Sequence, residues 1–284
     1  MRAVLGIDAA WTTTEPSGVA LALEHAPGRW RCERVAPSVE TFLSGRVDWS
    51  QKPRGGGLDV ERLLSVVPRG ASLTVAIDMP VGKTPPVARR ASDNAVTSAF
   101  GRFGCGTHSP TPERPGPLSV DLTNAFARHG YIVAAAGDVP EGRLLEVYPH
   151  PAVMELLGRD YRVPYKVSRA SKYWPGTTPA VRARRILGEL HALNEAVSRR
   201  LRGASVRLPG RVDSLAELKR YEDALDAMVC AFIGIEAIEG RGTAFGDSTA
   251  AIWLPATRRA AGGANLPVDG AALAPRSDPN SYLR

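Results

Sequence analysis

Apolar and polar positions along the chain change period from element to element, and those changes locate strands and helices. Residues 2–7 read as a strand whose apolar run, closed by Asp8, suits burial on both faces. Glu15-Pro16-Ser17-Gly18 signals a turn, residues 19–23 give a second strand, and residues 30–35 alternate as a third, edge-like strand. Apolar side chains at helical spacing fill residues 58–67 until Pro68-Arg69-Gly70 ends them. Residues 73–77 are a β-branched strand running into Asp78-Met79-Pro80, so the order to this point is β-β-β-α-β.

Residues 81–118 are rich in Pro, Gly, Arg and Ser, with one short helix expected at 88–100; so long an irregular insert is more often functional than idle. A helix at 122–128 and a strand at 144–148 follow. Pro149-His150-Pro151 ends the strand, and Pro151 opens a helix at 152–157. Residues 161–178 interleave Lys166, Arg169 and Lys172 with Tyr161, Tyr165, Tyr173 and Trp174 and read as a surface loop. A basic amphipathic helix runs from Pro179 to about residue 201. Residues 215–238 form the longest helical pattern, with Leu218, Tyr221, Leu225, Met228, Val229 and Phe232 on one stripe. Residues 250–254 fit a last short strand, and the Ala-, Gly- and Pro-rich tail beyond Arg258 reads as loosely held. The expected architecture is a single α/β domain over residues 1–255, a mixed five-stranded sheet flanked by helices. A long insert separates its fourth and fifth strands, with basic inserts at about 81–118 and 158–212 and a loosely packed tail at 256–284.

Composition narrows the class. The 284 residues, 44% of them hydrophobic, supply a full apolar core without cross-links. Cys32, Cys105 and Cys230 are an odd number without C-x-x-C spacing, which argues against a disulfide framework or thiolate zinc site and for a reducing cytoplasm. No apolar run reaches the roughly eighteen residues of a bilayer span, and no export leader is expected. Lys plus Arg number 36 against 29 Asp plus Glu, a formal charge of +7 that is compatible with a nucleic-acid partner without requiring one.

The acidic residues change the picture most. Ionised groups at the ends of buried strands are costly to desolvate unless they are paired or coordinate a cation. Asp8 ends the first strand, Asp78 the fourth, and Glu146 lies inside Leu144-Leu145-Glu146-Val147-Tyr148. If the first strand is flanked by the second and fourth, all three converge at one sheet edge. At about 100° per residue, Asp226 lies beside the stripe centred on Leu225, Glu222 near the same edge and Asp223 further round. Taken singly, each acid is as readily a cap or an ion-pair partner: Glu222 can pair with Lys219 or stand behind Asp226, and Asp223 can be solvated; their convergence points to a site. A carboxylate cluster without cysteine favours Mg2+ or Mn2+, held by Asp8, Asp78, Glu146 and Asp226 with Asp223 assisting. Such ions activate water for phosphodiester hydrolysis. His150 can orient water, shuttle a proton or bind phosphate, or be structural. Arg89, Arg90, Lys166, Arg169 and Lys172 are candidate phosphate contacts, with Tyr173 or Trp174 stacking on a base, against the alternative of a solvated basic face. Gly101-x-x-Gly104-x-Gly106 follows no strand directly and is not read as a nucleotide loop.

Gly6-Ile7-Asp8-Ala9-Ala10-Trp11 with Pro16-Ser17-Gly18, Ile77-Asp78-Met79-Pro80, Glu146-Val147-Tyr148-Pro149-His150-Pro151, and Glu222-Asp223-Ala224-Leu225-Asp226-Ala227 with Cys230-Ala231 together resemble a known family. It is the family of predicted RNase H-like nucleases called domain of unknown function 429. The likeness extends over about residues 1–255, and Glu-Val-Tyr-Pro-His-Pro is its most specific block. The pairs Arg90-x-x-Asp93 and Tyr165-Lys166 also resemble recurrent positions of that family. The resemblance implies an RNase H-like architecture and, less firmly, metal-dependent hydrolysis of nucleic-acid phosphodiester bonds. Holliday-junction resolvases of that fold place one acid on the first strand, one on the fourth and an Asp-rich pattern on the last helix; Asp8, Asp78 and Asp223 to Asp226 are similar in order. The fourth-strand acid is often Glu there and is Asp78 here, and Glu146 on the fifth strand is an addition. Two other readings stand beside this one. One is a catalytically silent nucleic-acid-binding or interaction module of the same fold. The other is an actin-like or sugar-kinase-like ATP-binding protein, which needs two complete halves where one strand-hairpin-helix unit is found. DNA or RNA as substrate and the oligomeric state stay open.

Overall fold

Val4 and Ile7 are wholly buried on opposite faces of a central strand, β1 (Arg2–Asp8), and the molecule is built outward from it. The computed structural model describes residues 1–212 and 214–257, so the expected loose tail lies outside the described residues. A meander follows β1 through β2 (Gly18–Ala26) and β3 (Arg29–Ala36), both pairings antiparallel. Two short helices, α1 (Val39–Ser44) and α2 (Val60–Ser65), lead to β4 (Ser72–Ile77), which lies parallel to β1. The insert carries α3 (Ala91–Phe100) and α4 (Pro117–Arg128). After them come β5 (Leu144–Val147), α5 (Pro149–Leu156), α6 (Ala170–Tyr173), α7 (Pro179–Arg200), β6 (Arg202–Gly203), α8 (Leu215–Ile238), β7 (Gly242–Gly246) and β8 (Ala251–Pro255).

The five-stranded expectation is corrected to eight strands in the order β6-β3-β2-β1-β4-β5-β8-β7. The five expected strands are its centre, and residues 250–254 do form a strand. The additions lie at the edges, where β6 is only two residues long and Gly-Thr-Ala-Phe-Gly of β7 lacks apolar alternation. One face of the sheet is covered by α5, α7 and α8 and the other by α2 and α4. Buried on nearly every side, α8 crosses β1, β2 and β4. Its close approach requires glycine, because a Cβ on Gly6 would stand 2.2 Å from the Ala227 carbonyl oxygen and one on Gly18 2.0 Å from that of Asp223. The acidic turn of α8 is thereby pressed against the ends of β1 and β2.

Residues 161–178 are not a surface loop. Val163, Tyr165 and Ala170 pack into the core beside α8, and a single 3-10 turn at Val167–Arg169 leads into α6. Among the described residues no helix is long and apolar enough to cross a membrane.

Candidate functional site

Parallel pairing in register sets Ile7 of β1 opposite Ile77 of β4, so Asp8 and Asp78 emerge side by side where the two strands end. The Asp78 amide donates to the Ile7 carbonyl at 2.9 Å, which fixes the pair. Neither carboxylate accepts a hydrogen bond from another described residue. Desolvation, reinforced by the charge of Asp8, raises the Asp78 carboxyl well above the usual carboxylate range.

The α8 acids are buried and, unlike this pair, engaged. Asp226 accepts from the Tyr165 hydroxyl at 2.8 Å through Oδ1 and from the Lys166 ammonium through Oδ2. Glu222 accepts from the Val167 amide at 2.6 Å and from Lys219 Nζ at 2.9 Å, with Lys166 Nζ 3.5 Å away. Lys219 also donates to Asp223 Oδ1, while Oδ2 of Asp223 is buried without a partner. Burial raises the Asp226 pKa to about 6, against the pull of Lys166. Burial also works against ionisation of Glu222, yet Lys219 and Lys166 outweigh it and hold that carboxyl low.

Glu146 is the β5 neighbour of Ile77, and both its oxygens are engaged. Arg90 donates to its Oε2 at 2.6 Å and its Oε1 at 2.7 Å, and the Val81 amide adds a bond at 2.9 Å. The same guanidinium forks onto Asp93, with Nη2–Oδ1 and Nε–Oδ2 both at 3.0 Å, and the Asp93 carboxylate also accepts from the Arg90 amide at 2.9 Å at the start of α3. A bidentate pair on each side makes Arg90 the clip that fastens the insert to β5.

Asp8, Asp78, Glu146, Tyr148, His150 and Arg162 are among the residues lining a cavity of about 200 Å³. His150 is only 7% exposed, at the start of α5. Its Nε2 lies 2.5 Å from Arg162 Nη2, and its Nδ1 is buried without a partner. Because a guanidinium only donates, Nε2 must accept and the proton belongs on Nδ1. Burial, and then Arg162, hold the imidazole pKa well below its ordinary value, so the ring is neutral. Trp11 and His108 are shared with a second cleft of about 430 Å³, whose wall also includes Arg114, Lys166 and Lys219. An acidic cavity thus opens beside a basic one.

The family model described as Protein of unknown function (DUF429) matches residues 6–250. The chain belongs to this family. No curated protein and no solved structure matches the chain. The DUF429 span takes in Asp8, Asp78, the α8 acids and every residue lining the two cavities except Ile252.

Within this DUF429 site, the expected residues divide into three groups. Asp8 and Asp78 meet with their carboxylates unengaged; Asp223 and Asp226 come near them but hold lysines; Glu146 holds Arg90. Among the described residues no group of three or more His, Cys, Asp or Glu side chains is arranged to hold a metal ion. Lys166 turns inward onto Asp226 instead of facing solvent, and Arg90 is occupied by Asp93 and Glu146. Arg89 is spent on Asn94, Thr97, Ser109 and the Asp93 carbonyl. Arg169 and Lys172 line neither cavity, and Tyr173 packs edge-on against Trp174 with their ring centroids 5.7 Å apart. Sequence reasoning missed Arg162, His108 and Arg114 as wall residues, and their positions carry no periodic signal. The role of Lys219 was readable, since it stands three and four residues before Glu222 and Asp223 on a helix.

Proposed function

We propose that this DUF429 protein is an RNase H-like hydrolase of nucleic-acid phosphodiester bonds that uses Mg2+ or Mn2+ and works in the cytoplasm. The observation carrying this reading is the unengaged Asp8 and Asp78 pair at the ends of adjacent parallel strands, opening beside a basic cleft. The central order β3-β2-β1-β4-β5 supports the RNase H-like reading of the fold. Asp8 and Asp78 offer a hard divalent ion oxygen donors from two residues, and the unpartnered Asp223 Oδ2 is a further oxygen of the right kind that does not stand with them as a three-residue group. Glu146 does not fit that role, because Arg90 and Val81 take its oxygens. A bound divalent ion would supply a low-pKa water and charge stabilisation of the leaving oxygen.

The chain's own residues contribute the rest. Arg114 draws the phosphodiester backbone along the cleft, next to the acid pair, while Lys166 and Lys219 stay paired with the α8 acids. His150, neutral and held by Arg162, offers Nδ1–H as a fixed donor to an oxygen of the substrate. A second reading, a silent nucleic-acid-binding module, is favoured by one observation: Lys166 and Lys219 already neutralise the α8 acids without any metal. Cleavage of labelled single-stranded, duplex and branched DNA and RNA with either ion separates the two. The hydrolase reading expects manganese-dependent cleavage that Asp8→Asn abolishes while the variant melts no lower than the parent. Binding without cleavage by the parent under every condition would establish the silent module instead.

A further inference from the structure

A second basic surface lies at the other end of the sheet. The turn joining β2 and β3 and the adjoining β6 edge stand beyond the amino end of β1, whereas the acid pair stands at its carboxyl end. There a groove of about 650 Å³ is lined by Arg29 and Arg31 of β3, Arg199 and Arg200 of the last turn of α7, and Arg202 of β6. Two segments far apart in the chain, the start of β3 and the junction of α7 with β6, deliver these arginines to one concavity. The counter-charges are few: Glu195 takes Arg199 at 2.6 Å and Glu33 lies 3.9 Å from Arg31. Arg29, Arg200 and Arg202 have no carboxylate partner among the described residues.

The register sharpens the point. Arg31 of β3 pairs directly with Arg202 of β6, two like charges facing across a parallel edge, an arrangement that costs stability unless something anionic lies between or over them. Among the described residues the nearest carboxylate is Glu33, 3.9 Å from Arg31, and none pairs with Arg202. None of the large exposed apolar side chains, Met1, Val87, Ile132, Val139 and Tyr161, lines the groove, so it lacks the apolar wedge of a lipid-binding surface. Trp30 is buried beneath it and donates to Glu239 at 3.2 Å, and the exposed ring at its wall, His25, is tied to Glu33 at 2.6 Å, so guanidinium groups and not aromatic faces make up most of the wall. A concave row of arginine forks with so little stacking surface favours phosphates over bases.

We infer that this groove binds the phosphodiester backbone of a polynucleotide, independently of its sequence, as a second contact distinct from the acid-lined cavity. The choice of polynucleotide among polyanions rests on the proposed function; the anion specificity rests on the groove alone. The test is fluorescence anisotropy of labelled twenty-residue DNA and RNA oligonucleotides, single-stranded and duplex, titrated with the full chain over a range of NaCl concentrations. The groove variant is Arg29→Gln/Arg200→Gln/Arg202→Gln, all exposed positions. A control variant of equal charge loss is Arg46→Gln/Arg69→Gln/Arg128→Gln, exposed and remote from the groove.

The groove variant is expected to bind at least about tenfold more weakly near 0.1 M salt and to lower the log–log salt slope by about three, one counterion per lost contact. The control variant keeps the parent's slope. Equal losses in both variants, parental binding by the groove variant, or no oligonucleotide binding by the parent would each overturn the inference. So would groove-dependent binding to phosphatidylserine vesicles that exceeds binding to oligonucleotides. A groove variant that only self-associates would show that the charges protect a sheet edge. Manganese-dependent hydrolysis of bis(p-nitrophenyl) phosphate, a diester too small to reach the groove from the acid pair, reads the proposed function by itself. Its failure with groove binding intact, or the converse, shows which of the two ideas has failed.

Discussion

At the scale of single residues, the site is a balance between two kinds of carboxylate. Asp78 has a charged neighbour, Asp8, and no donor, whereas Asp226 has Lys166 and Tyr165. Removing charge should therefore act in opposite directions at the two places. Asp78→Asn relieves repulsion and should raise thermal stability, while Lys166→Met strips a buried partner from Asp226 and Glu222 and should cost about 3–5 kcal/mol. The gain from Asp78→Asn must also depend on pH. A carboxyl whose folded pKa is raised binds more protons in the native than in the unfolded state, so its contribution to stability falls as pH rises from the ordinary value of about 4 towards the folded value. Buried neutral His150 works in the opposite sense below its ordinary pKa, so the difference between variant and parent isolates Asp78. That difference should widen from pH 4.5 to pH 7 in metal-free denaturant titrations. A constant difference, or a less stable variant, would show that Asp78 has a structural partner.

Elements decide which residues can meet at all, and here two glycines set the spacing. With a Cβ at Gly18, the helix turn bearing Asp223 must move, because the contact is with backbone and cannot swing aside. Gly18→Ala is expected to cost about 1–3 kcal/mol as overpacking and to reduce any metal-dependent cleavage well beyond the fraction unfolded. Circular dichroism melts beside turnover under fully folded conditions check this; full activity in a folded variant would refute it. The central strands were legible because burial on both faces leaves short unbroken apolar runs, and α7 and α8 because burial imposes a period of about 3.6 on the sequence. The edge strands were not, since β6 and β7 bury too little to impose one. Glu146 illustrates a further limit. An acid inside an apolar strand does announce a buried partner, but its partner Arg90 lies 56 residues earlier on a helix cap, and only the fold brings them together. The pair Asp8 and Asp78 was legible because parallel register follows from strand order. The inward turn of Lys166 was not, because alternation with aromatic residues reads alike for a solvated face and for a buried anchor.

Across the described residues, basic side chains line two concavities, one beside the acid pair and one at the opposite sheet edge. Charges gathered in a concavity reinforce one another's field and can grip one phosphate together. Those on a convex face are screened over a Debye length of about 8 Å at physiological salt. Arg114 lines the cleft and lies over Trp11, its guanidinium carbon 5.7 Å from the ring centroid, which fixes its direction at little entropic cost. Lys172 is exposed and lines neither cavity. Although each substitution removes one positive charge, Arg114→Gln should weaken oligonucleotide binding and lower the salt slope by about one, whereas Lys172→Gln should leave both near the parental values. Anisotropy titrations of both variants at several salt concentrations make the comparison. Equal effects would mean that bulk charge draws the nucleic acid and that the cleft has no part in holding it. A larger effect at Lys172 would put the binding face on α6, away from Asp8 and Asp78, and would separate binding from the acid pair altogether.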